Sequence, residues 1–140
     1  MVLPEWERGT PAVLCVAGPH PIPVSTAVRV ADDRVLLALG RERETLRRLR
    51  KEGRVALLVM GEGVAFTAHG WAHVVEEHLE TAETVVAVEL QVAVVQDHLA
   101  DGRTEMVDGA RWRWTDEQLA RSEPAIVDEL ERLGRARASS

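Results

Sequence analysis

Short apolar runs set between turn residues fill most of this chain, and their lengths suit strands better than helices. Residues 12–17 form the first run, closed by Gly18-Pro19-His20-Pro21. From residue 22 to 30 the pattern alternates, with Ile22, Val24, Thr26, Val28 and Val30 on one face and Ser25, Ala27 and Arg29 on the other. That predicts a second strand, and Pro23 places its start at a sheet margin, since proline cannot donate to a ladder. Asp32-Asp33 supplies a turn, and residues 34–39 return as the other arm of a hairpin. Residues 55–60 read as a fourth strand, Gly61-Glu62-Gly63 as a tight turn, and residues 64–75 as a long fifth strand. Within it Gly70 marks a bulge or a close approach of backbone. Residues 85–95 are apolar except at Glu89 and Gln91, so they predict a sixth strand, with a helix as the alternative. Residues 110–114 suggest one more short strand.

Two segments carry helical spacing instead. In residues 41–54, Leu46, Leu49 and Gly53 fall on one stripe, flanked by a row of Arg41, Thr45 and Arg48 and a row of Arg43, Arg47, Arg50 and Arg54. Thr115, with Gln118 three positions on, predicts the capped start of a C-terminal helix. Pro124 should interrupt that helix or begin a second, whose apolar face is Ile126, Val127, Leu130 and Leu133. Residues 1–9 and 135–140 are expected to fray. The 140 residues thus predict a single mainly β (α+β) domain: a six- to seven-stranded antiparallel barrel with one inserted helix and a C-terminal helix.

Charge sharpens this picture. Seven of the 17 Lys and Arg lie within residues 41–54, against three acids there, so this segment is +4 in a chain of net −6 and the rest is −10. An acidic chain lacks the broad basic surface that nucleic acids or anionic membranes require, so neither is an expected partner. The basic island is local and calls for a small partner. A phosphate at this strand-to-helix turn would meet backbone N–H groups, the Thr45 hydroxyl and the guanidinium forks of Arg41, Arg43 or Arg48. The competing reading lays the arginine stems over the apolar stripe with their heads in water. A single cysteine, Cys15, excludes an internal disulfide and suggests a small buried residue in a reducing compartment. No apolar stretch approaches a membrane span and no secretory pattern opens the chain, which makes the cytoplasm the expected location.

Other chemistry is sparse. His69 and His73 share a strand face with Trp71, but four residues of extended chain hold their Cα atoms about 13 Å apart, too far for one metal. His20, His78 and His98 fall in turns without companion ligands at known spacing, so no metal site is expected. In Trp112-Arg113-Trp114 one indole could cover a planar ligand or a subunit contact, or the pair could divide between the core and the underside of the C-terminal helix.

The order of elements is more telling than any one motif. Pro23-Val24-Ser25, Leu36-Leu37-Ala38-Leu39-Gly40, Thr45-Leu46-Arg47-Arg48-Leu49, Arg54-Val55-Ala56-Leu57 and Gly70-Trp71-Ala72 follow one another in a sequence that resembles the pyridoxamine-phosphate-oxidase-like, FMN-binding split-barrel family over residues 10–114. The resemblance implies a split β-barrel, a homodimer, and FMN in a crevice between subunits, with oxidoreductase chemistry on a small organic substrate carried by the flavin. It implies that Val24, Ser25, Thr26 and Ala27 lie beside the flavin ring and that the turn of Gly40, Arg41, Arg43, Thr45 and Leu46 holds the phosphate. The family's usual lysine near Thr45 is absent, and Arg48 stands where an asparagine is common, so Arg43 or Arg48 would take over. Trp112 of the other subunit would stack on the ring, and His69 is the one acid–base candidate facing the crevice. Two alternatives stay open: a cofactor-free binding or structural barrel, and a related cofactor such as a deazaflavin or haem.

Overall fold

The computed structural model describes residues 2–138. It contains β1 (Ala12–Val16), β2 (His20–Val24), β3 (Val28–Ala31), β4 (Arg34–Gly40), α1 (Glu44–Lys51), β5 (Arg54–Gly61), β6 (Val64–Glu76), β7 (Val85–Asp97) and α2 (Glu117–Ala138). The seven strands make one antiparallel sheet in the order β2-β1-β5-β6-β7-β4-β3. Its two edges, β2 and β3, are consecutive in the chain, with only Ser25, Thr26 and Ala27 between them. Laid flat, seven strands at about 4.8 Å spacing would hold those edges roughly 29 Å apart. Four Cα steps of about 3.8 Å reach at most ~15 Å. The sheet must therefore curl until its edges approach, and residues 25–27 become the seam of a barrel.

The alternation from residue 22 to 30 predicts one strand, and here the structure differs. At the seam the Thr26 hydroxyl accepts from the Ala38 N–H at 2.9 Å and donates to the Ala38 carbonyl at 3.4 Å, replacing the backbone ladder with β4. The kink turns the chain over: Val24 and Ala27 point into the barrel, while Val28 belongs to a second apolar layer outside it. Pro21 and Pro23 sit on β2, an edge strand, where a missing donor does no harm.

Two packed layers explain the strand patterns. Inside the barrel lie Leu14, Val16, Val35, Leu37, Leu39, Leu57, Phe66, Val86, Val88 and Leu90, joined at one end by Leu46 and Leu49 of α1. Outside, Leu36 and Ala87 are covered by Val127 and Leu130 of α2, with Ile126 and Leu133 alongside. β4 and the first half of β7 are buried on both faces and so read as continuous apolar runs, whereas β1 and β5 have one bare face and alternate. Gly70 sits at a bulge, where a Cβ would stand 1.9 Å from the Gln91 carbonyl oxygen.

Several local expectations are corrected. Residues 2–9 are held, not frayed: Leu3 is 1% exposed, and the Trp6 indole donates to the Ala27 carbonyl at 3.0 Å while packing on Phe66. At the other end α2 runs to Ala138 and Arg137 grips Glu89; Ser139 and Ser140 lie outside the described residues. Residues 110–114 form no strand: the segment joins no ladder of the sheet, and Trp112 ties it to the Gly9 carbonyl through its side chain instead. The cap of α2 is Asp116, whose carboxylate accepts from the Gln118 and Leu119 N–H groups, one residue after Thr115. Pro124 leaves α2 unbroken, since residues 117–122 are exposed and water can take the carbonyl that proline leaves unbonded. No helix among the described residues is long and apolar enough to cross a membrane.

Candidate functional site

Most of the basic island is spent inside the protein. Arg41 donates to the backbone carbonyls of Glu77 and Glu83. Arg50 grips the Glu77 carboxylate with two bonds of 2.8 and 3.0 Å, which hold that carboxyl below its ordinary range. Arg47 pairs with Glu44 and depresses it likewise. Arg48 lies 3.3 Å from Glu44 and donates to the Ala17 carbonyl at 3.2 Å, its guanidinium filling the space over Gly18. Arg54 sits over the Trp71 ring. Thr45 is 2% exposed, and its hydroxyl faces His20 Nε2 at 3.2 Å. Thr45, Arg48, His20 and Gly18 therefore fasten α1 to the β1–β2 turn. Arg43, just ahead of α1, is exposed and its side chain has no hydrogen-bond or ion-pair partner among the described residues.

Arg43 opens onto a cleft of about 450 Å³. One wall is the seam, Pro23 to Thr26, with Ala38 of β4 behind it; a second is the loop before β7, with Thr81, Ala82 and Thr84; the third is Trp114 with Leu119, Ser122, Glu123 and Ile126 at the start of α2. Eight of its fifteen lining residues are apolar, and the volume lies within the range of small-molecule sites. Ser25 donates to Glu123 Oε1 at 2.5 Å, joining the seam to α2. Trp114 meets Trp112 edge-on, with ring centroids 5.4 Å apart. Trp112 itself donates to the Gly9 carbonyl at 2.9 Å, so it anchors its segment while Trp114 faces the cleft.

Glu129 of α2 shapes the loop wall. Its carboxylate accepts from the Glu80 and Thr81 N–H groups, both at 2.9 Å, and from the Thr81 hydroxyl at 2.6 Å. Burial alone would push this carboxyl up, but those three bonds and the charge of Arg132 bring it below its ordinary value of 4.5. A depressed folded-state value means the clamp is at full strength above 4.5 and is lost as pH falls through the lower folded value. Hydrogen-exchange protection of the Glu80 and Thr81 amides, corrected for intrinsic rates, should be flat above about pH 5.5 and fall in acid. In Glu129→Gln it should be low and independent of pH throughout. An acid response that survives this substitution would assign the effect elsewhere.

No family model matches the sequence, and no curated protein matches it either. Solved structures do. A provisionally designated pyridoxamine 5'-phosphate oxidase from Listeria innocua aligns over 64% of this chain and 88% of its own, at 16% identity and a TM-score of 0.53. The chain has the pyridoxamine 5'-phosphate oxidase-like split-barrel fold. HupZ of Group A Streptococcus shares it over 73% of this chain and 90% of its own, at 10% identity and a TM-score of 0.53. An F420 reductase does so over 64% and 91%, at 9% identity and 0.52.

Within this split barrel the residues singled out from sequence divide. Val24, Ser25, Thr26 and Arg43 come together in the cleft. Ala27 is buried beneath the seam, Leu46 in the barrel core, and Gly40 packs on the Arg43 stem. His69 is on the outer face of β6, bonded to Gln96 at 2.7 Å, away from the cleft. Cys15, expected to be buried, is half-buried on the outer face of β1 beside Ala56. Thr81, Thr84, Leu119 and Glu123 carry no signal in the sequence, because they reach the cleft only through tertiary folding. Trp114 stands out there as one of a tryptophan pair, without a sign of which indole faces the cleft.

Proposed function

We propose that this split barrel is a flavoprotein that binds FMN in the cleft beside Arg43 and acts as an oxidoreductase on a small organic substrate. The observation that carries this reading is the convergence of Val24, Ser25 and Thr26, an unpaired Arg43 and the Trp114 indole around one open, mostly apolar volume. Arg43 would hold the phosphate, the seam would lie along the ring, and Trp114 would stack on it. Bound FMN would supply hydride or one-electron transfer. The residues named here all come from one chain, and a partner subunit would add to an open side of the cleft. Dimerisation is proposed on separate grounds: the outer face of β1, β5, β6 and β7 carries Val13, Leu58, Met60, Trp71 and Val94, with Trp71 and Val94 each 53% exposed.

The test is direct. FMN titrated into the wild-type protein should quench tryptophan fluorescence to saturation, and Arg43→Glu should weaken binding by at least about 100-fold, roughly 2.7 kcal/mol. The matched reversal Arg47→Glu, at a residue already paired with Glu44, should change it less than about 3-fold. A second reading, a cofactor-free barrel, is favoured by the closure of the space around Thr45 and by the pairing of four island arginines within the protein. Absence of any saturable FMN signal, with a colourless purified protein, would select it.

A further inference from the structure

Arg43 and Glu123 line the same cleft and offer a guest opposite chemistry. A guanidinium can only donate, and a carboxylate can only accept. Glu123 is half-buried; its Oε1 accepts from Ser25, and Oε2 has no partner among the described residues. The rest of the lining is mainly apolar, with Val24, Ala38, Val85 and Trp114 among it. A guest that filled this volume while leaving Oε2 facing apolar surface would strand a charged acceptor away from water, a loss far larger than a neutral contact gains.

We infer that Glu123 is the specificity-determining group of the cleft: it selects ligands that offer it an N–H or O–H donor besides the anion bound by Arg43, and it rejects those that meet it with an apolar or anionic group. This extends the flavin reading, since a flavin's imide N–H is such a donor, but it rests on the cleft's own polarity and holds for any guest. Ser25 is the positioning residue. Its hydroxyl takes up Oε1 of Glu123 at 2.5 Å and leaves Oε2 to a guest. Pro124 follows at once, so the carboxylate sits at the last residue before a position that cannot bond back along the helix.

Two aromatic phosphonates of equal charge test this without a flavin: benzylphosphonate, and the same molecule bearing a para-ureido group, whose N–H pair can donate to a carboxylate. Binding is followed by tryptophan fluorescence and calorimetry. The wild type should prefer the ureido compound about 10-fold, Glu123→Ala should reduce the preference below about 2-fold, and Ser25→Ala should give an intermediate value. Arg43→Gln should weaken both compounds equally and leave their ratio unchanged. Equal affinity of the wild type for the two compounds, or a preference that persists in Glu123→Ala, overturns the inference. Failure of either compound to bind at millimolar concentration overturns it too. FMN and N3-methyl FMN form a separate arm. If FMN fails to bind while the ureido preference appears, the flavin reading falls and this one stands; if both flavins bind equally well, this one falls and the flavin reading stands.

Discussion

Gly70→Ala should destabilise the protein by about 3 kcal/mol or more, lowering the melting temperature by roughly 10 °C. A Cβ at this position would lie 1.9 Å from the Gln91 carbonyl oxygen, 2.9 Å from its carbon and 3.0 Å from the Val92 Cα. All three are backbone atoms of the neighbouring strand, so no side chain can swing aside. The ladder between β6 and β7 would have to open at its bulge, in the middle of the sheet, where His69 pairs with Val94 and Gly70 with Val92. Gly63→Ala makes the control. Gly63 has φ of +71°, but an added methyl there would meet nothing within 4 Å, so only the left-handed backbone penalty of about 1 kcal/mol applies. Gly134→Ala should fall between them: its new methyl meets Val30 Cγ1 at 2.4 Å and Cβ at 2.6 Å, which no rotamer of a β-branched side chain clears, but the contact is between helix and sheet, and α2 can shift outward without opening a strand ladder. Chemical denaturation of the three variants gives the ranking. Equal losses at Gly70 and Gly63 would show that the sheet yields at the bulge and that close approach is not what requires glycine there.

That glycine is legible in the sequence because it interrupts a long strand, and strand interiors tolerate glycine poorly. The hairpin of β3 and β4, the two amphipathic helices and the long strands β5, β6 and β7 are legible for a similar reason: each carries its own period or its own turn residues. The seam is not. Residues 22–30 alternate straight through it, and only the Thr26 hydroxyl, bonded to a residue 12 positions away, marks where the ladder stops. Nor can the sequence show why Leu36 and Leu37 are both buried. The reason is tertiary: one faces the barrel and the other faces α2.

The candidate site divides along the same line. A concentration of arginines can be counted, but its availability depends on acids far along the chain. Glu77, 27 residues from Arg50, takes up one guanidinium and touches a second, Arg41. Glu44, an immediate neighbour, takes Arg47 and part of Arg48. What the count presents as a broad anion-binding turn is, after folding, one arginine without a partner among the described residues, at the rim of a cleft. The position of that cleft follows from α2, which brings Leu119, Ser122 and Glu123 over a seam nearly 100 residues earlier.

The same helix carries the second large effect at its other end. Glu89 is the one charged residue in the buried stretch of β7; it is 4% exposed and faces α2, where Arg137 binds it at 2.8 and 3.3 Å. The contact raises the Arg137 guanidinium further above its ordinary value. Arg137→Ala should cost about 2–3 kcal/mol, because the carboxylate stays buried with its main counter-charge removed. This is at or just below the bottom of the range for a fully buried pair, since Arg137 is 35% exposed and His73 stands 3.9 Å from the same carboxylate. The double replacement Glu89→Leu, Arg137→Leu should recover most of that loss, ending within about 1 kcal/mol of the wild type, as both desolvation penalties vanish together. His73→Ala should be nearly silent alone but should deepen the Arg137→Ala defect. Denaturant midpoints for the singles and the doubles complete the cycle. If Glu89→Leu, Arg137→Leu is as unstable as Arg137→Ala, the arginine stabilises α2 by packing its stem over the sheet, and the ion pair is incidental.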